Sequence, residues 1–329
     1  MSPAEGSDRV IDANRDWRPD VSGVRPSRRP VIRALNSLAE AQRRYAMDRL
    51  DRWPVPEPAP PIDLHVSTLA CESYAPMLMR MVCSFLERAG EPASLTVVSD
   101  GSLSAGTIAA VKRLWPATAI VEADELLAAL PPGDPIARAA QRSPYMLKLA
   151  WIRHADRGGM PALSVDCDIE YFAGAGRMRD LLDAPGRDPL YQHHPALGRD
   201  QGTPYDERMT EGQSIIPKVN AGVVLRFEPL DWSRALDVLD RFADDPHHLS
   251  EQTVTAIALT DSGARHFDTG DFVLSSADLN RPWDAYRRKD AVLRHYCSDT
   301  LKRKLFVRST PSGLRSLPLA LAAYPFSRA

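Results

Sequence analysis

The chain has 329 residues, of which 44% are hydrophobic and 26% are charged, and its formal net charge at pH 7 is −2. These values are ordinary for a globular protein with a sizeable core, and the length suits one large α/β domain with terminal extensions or two small domains. The near-neutral charge gives no electrostatic reason to expect nucleic acid as a partner, so we predict none.

The cysteines and the hydropathy of the chain are used to predict its cellular compartment. The four cysteines, Cys71, Cys83, Cys167 and Cys297, show neither CxxC pairing nor zinc-ligand spacing, which indicates free, reduced thiols. The N-terminal residues lack the apolar run of a signal peptide, and the most lipid-like stretch, 317–326, is too short to span a bilayer. We therefore expect a cytoplasmic protein without a transmembrane segment. The sequence leaves its oligomeric state open.

The N-terminal part of the chain differs in composition from the rest. Residues 1–30 are rich in Asp, Arg, Pro, Ser and Gly and are predicted to form a disordered arm. A helical pattern covers 31–53, and the proline-rich run 54–61 is typical of a stiff spacer. The predicted organisation is the arm, a helix with spacer over 31–60, a main domain over 61–308 and a C-terminal tail over 309–329.

Beyond the spacer, strands and helices alternate. Apolar or alternating runs predict strands at 62–68, 95–98, 118–121, 162–165, 190–192 and 219–227. Amphipathic patterns predict helices at 76–89, 104–115, 144–155, 232–242 and 251–259. This alternation predicts an α/β fold with a mostly parallel sheet and helices on both faces. Ligands of such sheets bind beyond the carboxyl ends of the strands, which favours the loops 68–74, 99–104 and 166–170.

An Asp-x-Asp motif follows the apolar strand predicted at 162–165. Side chains alternate along an extended segment, so Asp166 and Asp168 can point at one ion. Two unpaired carboxylates at a sheet edge repel each other without a cation. Mn²⁺ or Mg²⁺ takes one or two carboxylates together with phosphate oxygens. The motif therefore predicts a divalent cation, although acidic pairs also cap helices and line turns.

Several further motifs occur in an order that resembles one enzyme family. They are Tyr145-Met-Leu-Lys148 before the Asp-x-Asp strand, Val219-Asn220-Ala-Gly at a later strand, Ser250-Glu251-Gln252 at the next helix, and His295-Tyr296 followed by Lys302 and Lys304. With Asp166-Cys-Asp168, the stretch over 62–308 resembles GT-A nucleotide-sugar glycosyltransferases, particularly the glycogenin-like retaining family. The resemblance implies a GT-A fold, in which a Rossmann-like α/β sheet binds the donor.

The resemblance also implies an activity and two further site residues. The expected reaction moves a sugar from a nucleotide-diphosphate sugar donor to an acceptor that the sequence does not identify, with retention of anomeric configuration. His295 is implied as the third metal ligand, and Lys302 as the residue that meets the diphosphate. The family places glycine three and lysine six residues after the histidine, where this chain has Ser298 and Leu301. Lys302 therefore stands one place late.

Three residues are candidates for the nucleotide end of the site. Thr68 ends the first predicted strand and Asp100 lies in the turn after the second, so both could contact the nucleotide. A plain strand end and a plain turn former explain them equally well. Lys148 could reach a phosphate or pair with Asp166, and an ordinary helix-surface lysine is the competing interpretation.

Two residues are candidates for the sugar end. Asn220 begins a predicted turn into an apolar strand, and its Ala-Gly neighbours allow the close approach of a ligand. Glu251 opens a helix, where the dipole stabilises an acid, and it could face the acceptor hydroxyl or the transferred sugar. If Glu251 acts as a general base, inversion of configuration becomes possible.

A second enzyme class also places Asp-x-Asp at the end of a strand. Haloacid-dehalogenase-type phosphatases do so, with Asp166 and Asp168 as the reacting pair in this chain. That family favours threonine or valine two residues after the second aspartate, where this chain has Glu170. A third alternative is a binding module of GT-A shape without turnover, against which the presence of both aspartates argues.

Overall fold

The structure is a computed structural model in which parts of the chain are described. The described residues are 29–155, 160–194, 205–274, 291–297 and 302, with side chains from Ser37 onward. The predicted tail over 309–329 and residues 1–28 of the predicted arm lie outside the described residues. The first helix already includes Arg29 and Pro30, which the sequence assigned to the arm.

The helices and strands follow the predicted alternation. The helices are α1 (Arg29–Met47), α2 (Ala75–Arg88), α3 (Ala105–Leu114), α4 (Ala123–Ala128), α5 (Pro135–Arg142), α6 (Leu147–Ala155), α7 (Met178–Asp183), α8 (Glu207–Thr210), α9 (Ser233–Asp240) and α10 (Ser250–Asp261). The strands are β1 (Ile62–Ala70), β2 (Pro92–Ser99), β3 (Ala119–Glu122), β4 (Ala162–Val165), β5 (Ile169–Tyr171), β6 (Leu190–His193), β7 (Val219–Arg226), β8 (Arg265–His266), β9 (Phe272–Val273) and β10 (Leu293–His295). Among the described residues, no helix is both long and apolar enough to cross a membrane.

A seven-stranded sheet forms the centre, in the order β3-β2-β1-β4-β7-β6-β8. The neighbours from β3 to β4 run parallel, β7 is antiparallel to both β4 and β6, and β8 is parallel to β6. Strands β5, β10 and β9 form a second, three-stranded sheet. The predicted α/β class with a mostly parallel sheet is thus confirmed.

Helices cover both faces of the central sheet. Successive side chains of a strand point to opposite faces, and in β7 the buried Val223 and Val224 belong to two different core clusters. The Val223 cluster includes side chains of α2 and α3, and the Val224 cluster includes those of α5, α6, α9 and α10. Each helix that packs here buries an apolar stripe against the sheet. The helices thus cover the two faces of the sheet, and the ends of the strands stay open to carry polar groups.

The segment before the main domain packs onto the same core. Ala46 of α1, together with Leu50 and Trp53 in the turn that follows, belongs to the cluster that contains Leu64 of β1 and Phe85 of α2. The predicted helix over 31–53 is shorter, because α1 ends at Met47 and a separate 3₁₀ turn covers Leu50–Arg52. The N-terminal extension and the sheet therefore share buried apolar surface.

The positions predicted for Thr68 at a strand end and for Asn220 in a turn are both wrong. Strand β1 continues beyond Thr68, because its parallel pairing with β2 runs on to Ala70 opposite Ser99. Asn220 lies inside β7 and does not begin a turn, because the turn conformation is taken by Lys218, whose φ is 59°. The helix predicted over 144–155 begins as a 3₁₀ turn, Pro144–Met146, before α6.

Candidate functional site

A cleft of about 540 Å³ opens at the carboxyl ends of β1, β2 and β4. It is lined by most of the residues singled out from the sequence: Asp100, Lys148, Asp166, Asp168, Asn220, Glu251, His295 and Lys302. A larger cavity of about 690 Å³, lined by Leu190, Phe227 and Phe267 among others, contains none of them. The structure therefore gathers the predicted polar residues, Thr68 excepted, at the sheet edge that the fold class favours.

The Asp-x-Asp motif connects the two sheets. Strand β4 of the large sheet ends at Val165, and the backbone N–H of Asp166 donates to the carbonyl of Gly222 in β7 at 2.8 Å. The carbonyl of Asp168 accepts from the N–H of Tyr296 at 3.0 Å, just before β5 enters the small sheet. Both ends of the motif are thus fixed by backbone hydrogen bonds to different sheets.

His295 reaches this motif through strand pairing across a long stretch of sequence. In the small sheet, β10 runs antiparallel to β5, with His295 opposite Ile169. The Nε2 atom of His295 lies 3.1 Å from Oδ1 of Asp168 and 3.6 Å from Oδ2 of Asp166. Ligand atoms of the three residues all lie within 4.8 Å of one another. The histidine implied by the family resemblance therefore stands beside the two carboxylates.

The chemistry of the donor set fits a cation. The Nδ1 atom of His295 lies 2.8 Å from Oε1 of Gln192, while Nε2 of Gln192 donates to the carbonyl of Phe272 at 3.4 Å. An amide oxygen can only accept, so Nδ1 of His295 carries the proton. The Nε2 atom faces the two carboxylates, and in the neutral ring its lone pair would be offered to a cation bound between them. A histidine that binds a metal has this arrangement, with the second nitrogen donating to a neighbour.

Glycine 222 makes room for the imidazole. A Cβ atom at Gly222 would lie 2.2 Å from Cε1 of His295 and 2.8 Å from Oδ1 of Asn220, and neither distance is sterically possible. The Oδ1 atom of Asn220 accepts from the N–H of Gly222 at 2.9 Å. The sequence predicted that a ligand approaches closely at the Ala-Gly pair. In the structure, the group that lies against Gly222 is the ring of His295.

Two lysines neutralise the aspartates. The Nζ atom of Lys148 lies 2.7 Å from Oδ1 of Asp166 and 3.9 Å from Oε1 of Glu251. The Nζ atom of Lys302 lies 3.2 Å from Oδ2 of Asp168. Burial lowers the pKa of both lysines, but the neighbouring carboxylates outweigh it, so both pKa values are raised above their ordinary range. Both lysines are therefore cationic beside the Asp-x-Asp motif.

The lysine that stands one place late in the motif still reaches the site. Besides Asp168, the Nζ atom of Lys302 donates to the hydroxyl of Tyr74 at 3.3 Å and lies 4.7 Å from the centroid of its ring. Tyr74 belongs to the 3₁₀ turn Glu72–Tyr74 that follows β1. The ammonium group of Lys302 thus lies beside the second aspartate. Its contact with a diphosphate stays a prediction.

The remaining candidates lie in different surroundings. Asp100 lines the cleft, and its Oδ1 accepts from the N–H of Ser102 at 3.0 Å and from the hydroxyl of Ser102 at 2.5 Å. Glu251 lies at the start of α10, and burial raises its pKa against the opposing effect of Lys148. Thr68 is fully buried inside the sheet and does not line the cleft. Its place at the rim is taken by Ala70, where β1 ends.

Sequence analysis missed several residues that line or support the cleft. Gln192 holds His295, Tyr74 holds Lys302, and Tyr145, whose neighbours the sequence compared with the family motif, is 66% exposed at the cleft. His248 also lines it, immediately before α10. A buried glutamine in a short apolar strand is a signal that could have pointed to Gln192, because buried amides need a partner.

Comparison with known proteins identifies fold neighbours only. No family model and no curated protein matches the chain. Mouse xyloside xylosyltransferase 1 in its apo form is similar at 14% identity, with a TM-score of 0.47 over 73% of this chain and 99% of that one. The galactosyltransferase LgtC, in complex with donor and acceptor sugar analogues, is similar at 16% identity, with a TM-score of 0.39 over 71% and 87%. The apo-form glycosyltransferase GlyE of Streptococcus pneumoniae is similar at 10% identity, with a TM-score of 0.45 over 72% and 55%.

These neighbours are glycosyltransferases, the class that the sequence motifs resemble. At TM-scores below 0.5 the likeness does not assign an activity to this chain. The functional argument therefore depends on the geometry of the cleft.

Proposed function

We propose that the chain is a metal-dependent glycosyltransferase, which moves a sugar from a nucleotide-diphosphate sugar to an acceptor. The observation that carries the proposal is the convergence of Asp166, Asp168 and His295 within 4.8 Å, with Nδ1 of the histidine engaged by Gln192. Such a set beside two partly buried lysines suits a divalent cation together with a diphosphate, because the cation and the lysines would both supply positive charge to the phosphate oxygens. The acceptor stays open.

The metal ligands and the lysines are assigned two different roles at the diphosphate. Asp166, Asp168 and His295 would hold the ion, which neutralises charge on the leaving diphosphate when bound. A set that includes imidazole favours a transition ion such as Mn²⁺ over Mg²⁺, which prefers oxygen ligands. Lys302 is placed beside Asp168, where its ammonium group can donate to a phosphate oxygen. Lys148 can do the same from the side of Asp166.

Glu251 and Asn220 are the residues we assign to the sugar. The buried Oε1 of Glu251 has no hydrogen-bond partner among the described residues. Burial raises the pKa of this carboxyl against the opposing effect of Lys148, and its Oε1 can accept from a sugar hydroxyl. The Oδ1 atom of Asn220 accepts from the backbone N–H of Gly222, which leaves the side-chain NH₂ group of Asn220 to donate. Both side chains then orient the sugar relative to the diphosphate.

The nucleotide end and the stereochemistry complete the proposal. Asp100, on the turn after β2, is assigned to the ribose or base, and Leu69 and Ala70 at the end of β1 line the cleft beside it. Retention of configuration follows from the family resemblance. If Glu251 instead removes the proton of an acceptor hydroxyl, the same site inverts.

A ligand screen tests the proposal. The melting temperature is measured with UDP, GDP, ADP and their nucleotide sugars, each with and without Mn²⁺. A ligand that binds the folded state raises the melting temperature by mass action, so the true donor nucleotide should do so only with Mn²⁺. The Asp166→Asn variant should lose this shift. The matched control is Asp63→Asn, at an exposed residue of β1, which should keep it.

Turnover separates the enzyme classes. With Mn²⁺ and no acceptor, the protein should slowly hydrolyse one nucleotide sugar to free sugar and nucleoside diphosphate. Cleavage of simple phosphomonoesters, with every nucleotide sugar left intact, would establish the haloacid-dehalogenase-type phosphatase instead. Binding of a nucleotide sugar with neither reaction would leave a binding module.

A further inference from the structure

The 3₁₀ turn Glu72–Tyr74, which we call the cleft lip, forms one wall of the cleft. Cys71, Ser73 and Tyr74 all line the cavity at this point. The lip follows β1 directly, so its backbone sets where these side chains stand relative to the Asp-x-Asp motif. A short turn of this kind has few internal hydrogen bonds and depends on contacts from outside.

Helix α1 supplies one of those contacts. The Nη1 atom of Arg43 donates to the carbonyl of Ser73 at 3.0 Å. The guanidinium is held in place by Glu40, one turn earlier, which accepts from Nε at 3.0 Å and from Nη2 at 2.9 Å. A bidentate carboxylate pair orients the planar group, so the direction of the Nη1 donors is fixed. Arg43 thus joins the N-terminal helix to the cleft lip.

The lip is held from the other side as well. The N–H of Glu72 donates to the hydroxyl of Ser102 at 2.9 Å, and its carboxylate accepts from the N–H of Ser104 at 2.8 Å and from the hydroxyl of Thr107 at 2.9 Å. These bonds tie the lip to the start of α3, within the sheet domain. The lip therefore has two supports, of which one comes from a helix that precedes the main domain.

The contact made by Arg43 continues to the metal ligands through a chain of neighbours. Tyr74 follows Ser73, its hydroxyl accepts from Nζ of Lys302 at 3.3 Å, and that Nζ lies 3.2 Å from Oδ2 of Asp168. A displacement of the lip would move the tyrosine that holds the lysine. Arg43 itself does not line the cleft.

We propose that Arg43 is a positioning residue for the nucleotide-diphosphate end of the site, and that α1 is a functional part of the enzyme. Arg43 fixes the lip, and the lip places Tyr74 and Lys302 against the bound diphosphate. This inference rests on the proposed glycosyltransferase function. Loss of the arginine should weaken diphosphate binding while the sugar end, built on β7 and α10, keeps its geometry.

The experiment compares Arg43→Ala with Arg44→Ala in the full chain. Arg44 is adjacent on the same helix, its Nε also pairs with Glu40 at 3.1 Å, and its side chain is 75% exposed, so the control removes a similar charge without touching the lip. Affinity for UDP, GDP and ADP is measured by calorimetry with Mn²⁺. For the diphosphate that the wild type binds, Arg43→Ala should lower affinity roughly three- to tenfold, the size expected from losing one positioning hydrogen bond. Arg44→Ala should leave affinity unchanged.

A second readout reports on the lip without any ligand. Cys71 is partly exposed next to the lip, and its Sγ lies 3.0 Å from Oγ of Ser73, whereas Cys297 is exposed elsewhere on the cleft. Iodoacetamide labelling followed by mass spectrometry should show faster modification of Cys71 in Arg43→Ala, with the Cys297 rate unchanged. The Arg44→Ala protein should label like the wild type.

The outcomes separate the two proposals. If no diphosphate binds to the wild type but Cys71 labelling responds to Arg43→Ala, the proposed function fails and the structural link survives. If the wild type binds a diphosphate and Arg43→Ala matches it in both affinity and labelling, the positioning role is overturned. Equal losses in Arg43→Ala and Arg44→Ala would show a general effect of α1 on stability and would also overturn it.

Discussion

Two buried carboxylates, Asp168 and Glu170, stand two residues apart and have opposite surroundings. Glu170 is matched by its neighbours, since Arg80 donates to Oε1 from Nε at 3.1 Å and from Nη2 at 2.5 Å, and the Tyr296 hydroxyl donates to Oε2 at 3.1 Å. Asp168 is less fully matched: Nζ of Lys302 lies 3.2 Å from its Oδ2, and among the described residues its buried Oδ1 faces only Nε2 of His295, at 3.1 Å.

The difference separates a structural charge from a ligand-binding charge. A buried carboxylate that is fully paired needs no ligand. Removing one partner of such a pair costs more folding stability than the intact pair contributes. Asp168 is set beside a second carboxylate and a ring nitrogen, and an added cation can satisfy all of them at once. Burial favours its protonated form, but His295 and Lys302 outweigh that effect and lower the pKa of Asp168. It is thus ionised and ready for a metal.

The largest effect should come from Asp168→Asn. Metal catalysis supplies several kcal/mol of charge stabilisation, so turnover should fall roughly 10²-fold or more, and Mn²⁺-dependent nucleotide binding should disappear. Steady-state kinetics and calorimetry measure both. Full activity of this variant, or of the wild type in excess EDTA, would contradict a metal mechanism.

The opposite pattern is expected from Arg80→Met, which removes the guanidinium that donates twice to the buried Glu170. Removing one partner of a buried pair costs about 3–5 kcal/mol of unfolding free energy. Urea denaturation measures that loss. The folded fraction should keep a normal Mn²⁺ titration, because Arg80 does not contact the proposed ligands. A strongly shifted titration with unchanged stability would remove the distinction between the two carboxylates.

A smaller, graded effect is expected from the histidine and its support. His295→Ala should raise the Mn²⁺ requirement strongly, while His295→Gln keeps an oxygen ligand and part of the activity. Gln192→Leu removes only the group that orients the ring, and loss of such a partner costs about 10–100-fold in metal affinity. Mn²⁺ titrations of activity compare the three variants. An unchanged titration with only a lowered melting temperature would show that the histidine is structural.

The smallest effect concerns pH and Glu251. Burial raises its folded pKa above the ordinary value of 4.5, so the folded state holds this proton more tightly than the unfolded state. The resulting stability is present below that ordinary value and is lost as pH rises through the folded pKa. The Glu251→Gln side chain cannot ionise. The melting temperature of this variant, relative to that of the wild type, should therefore increase as pH rises from 4.5 to 7. Parallel curves would show that burial does not perturb this carboxyl.

The sequence predicted the parts of the molecule that depend on local pattern. The strand at 162–165 is reproduced without a shift, because a short apolar run before two aspartates has few alternatives. The pairing of Lys148 with Asp166 was one of two open interpretations and is the one that the structure shows. Family resemblance, not periodicity, pointed to His295, and strand pairing in the small sheet confirms its position near the aspartates.

The parts that were missed depend on contacts between distant segments. Strand β9 has two residues and β5 has three, too few for an alternating pattern to be recognised. The roles of Gln192 and Arg43 follow from what lies opposite them in space, His295 and Ser73, and no local pattern contains that information. Thr68 was misplaced because the sequence does not show where parallel pairing with β2 ends.

The position of the Asp-x-Asp motif between two sheets has a mechanical consequence. Asp166 is anchored to the large sheet through Gly222, and His295 belongs to the small sheet. A cation held by both residues would add a cross-link between two sheets that are already joined by the hydrogen bonds of Gln192 in β6 to His295 in β10 and Phe272 in β9. Binding of the ion would therefore brace the cleft against movement of the small sheet relative to the large one.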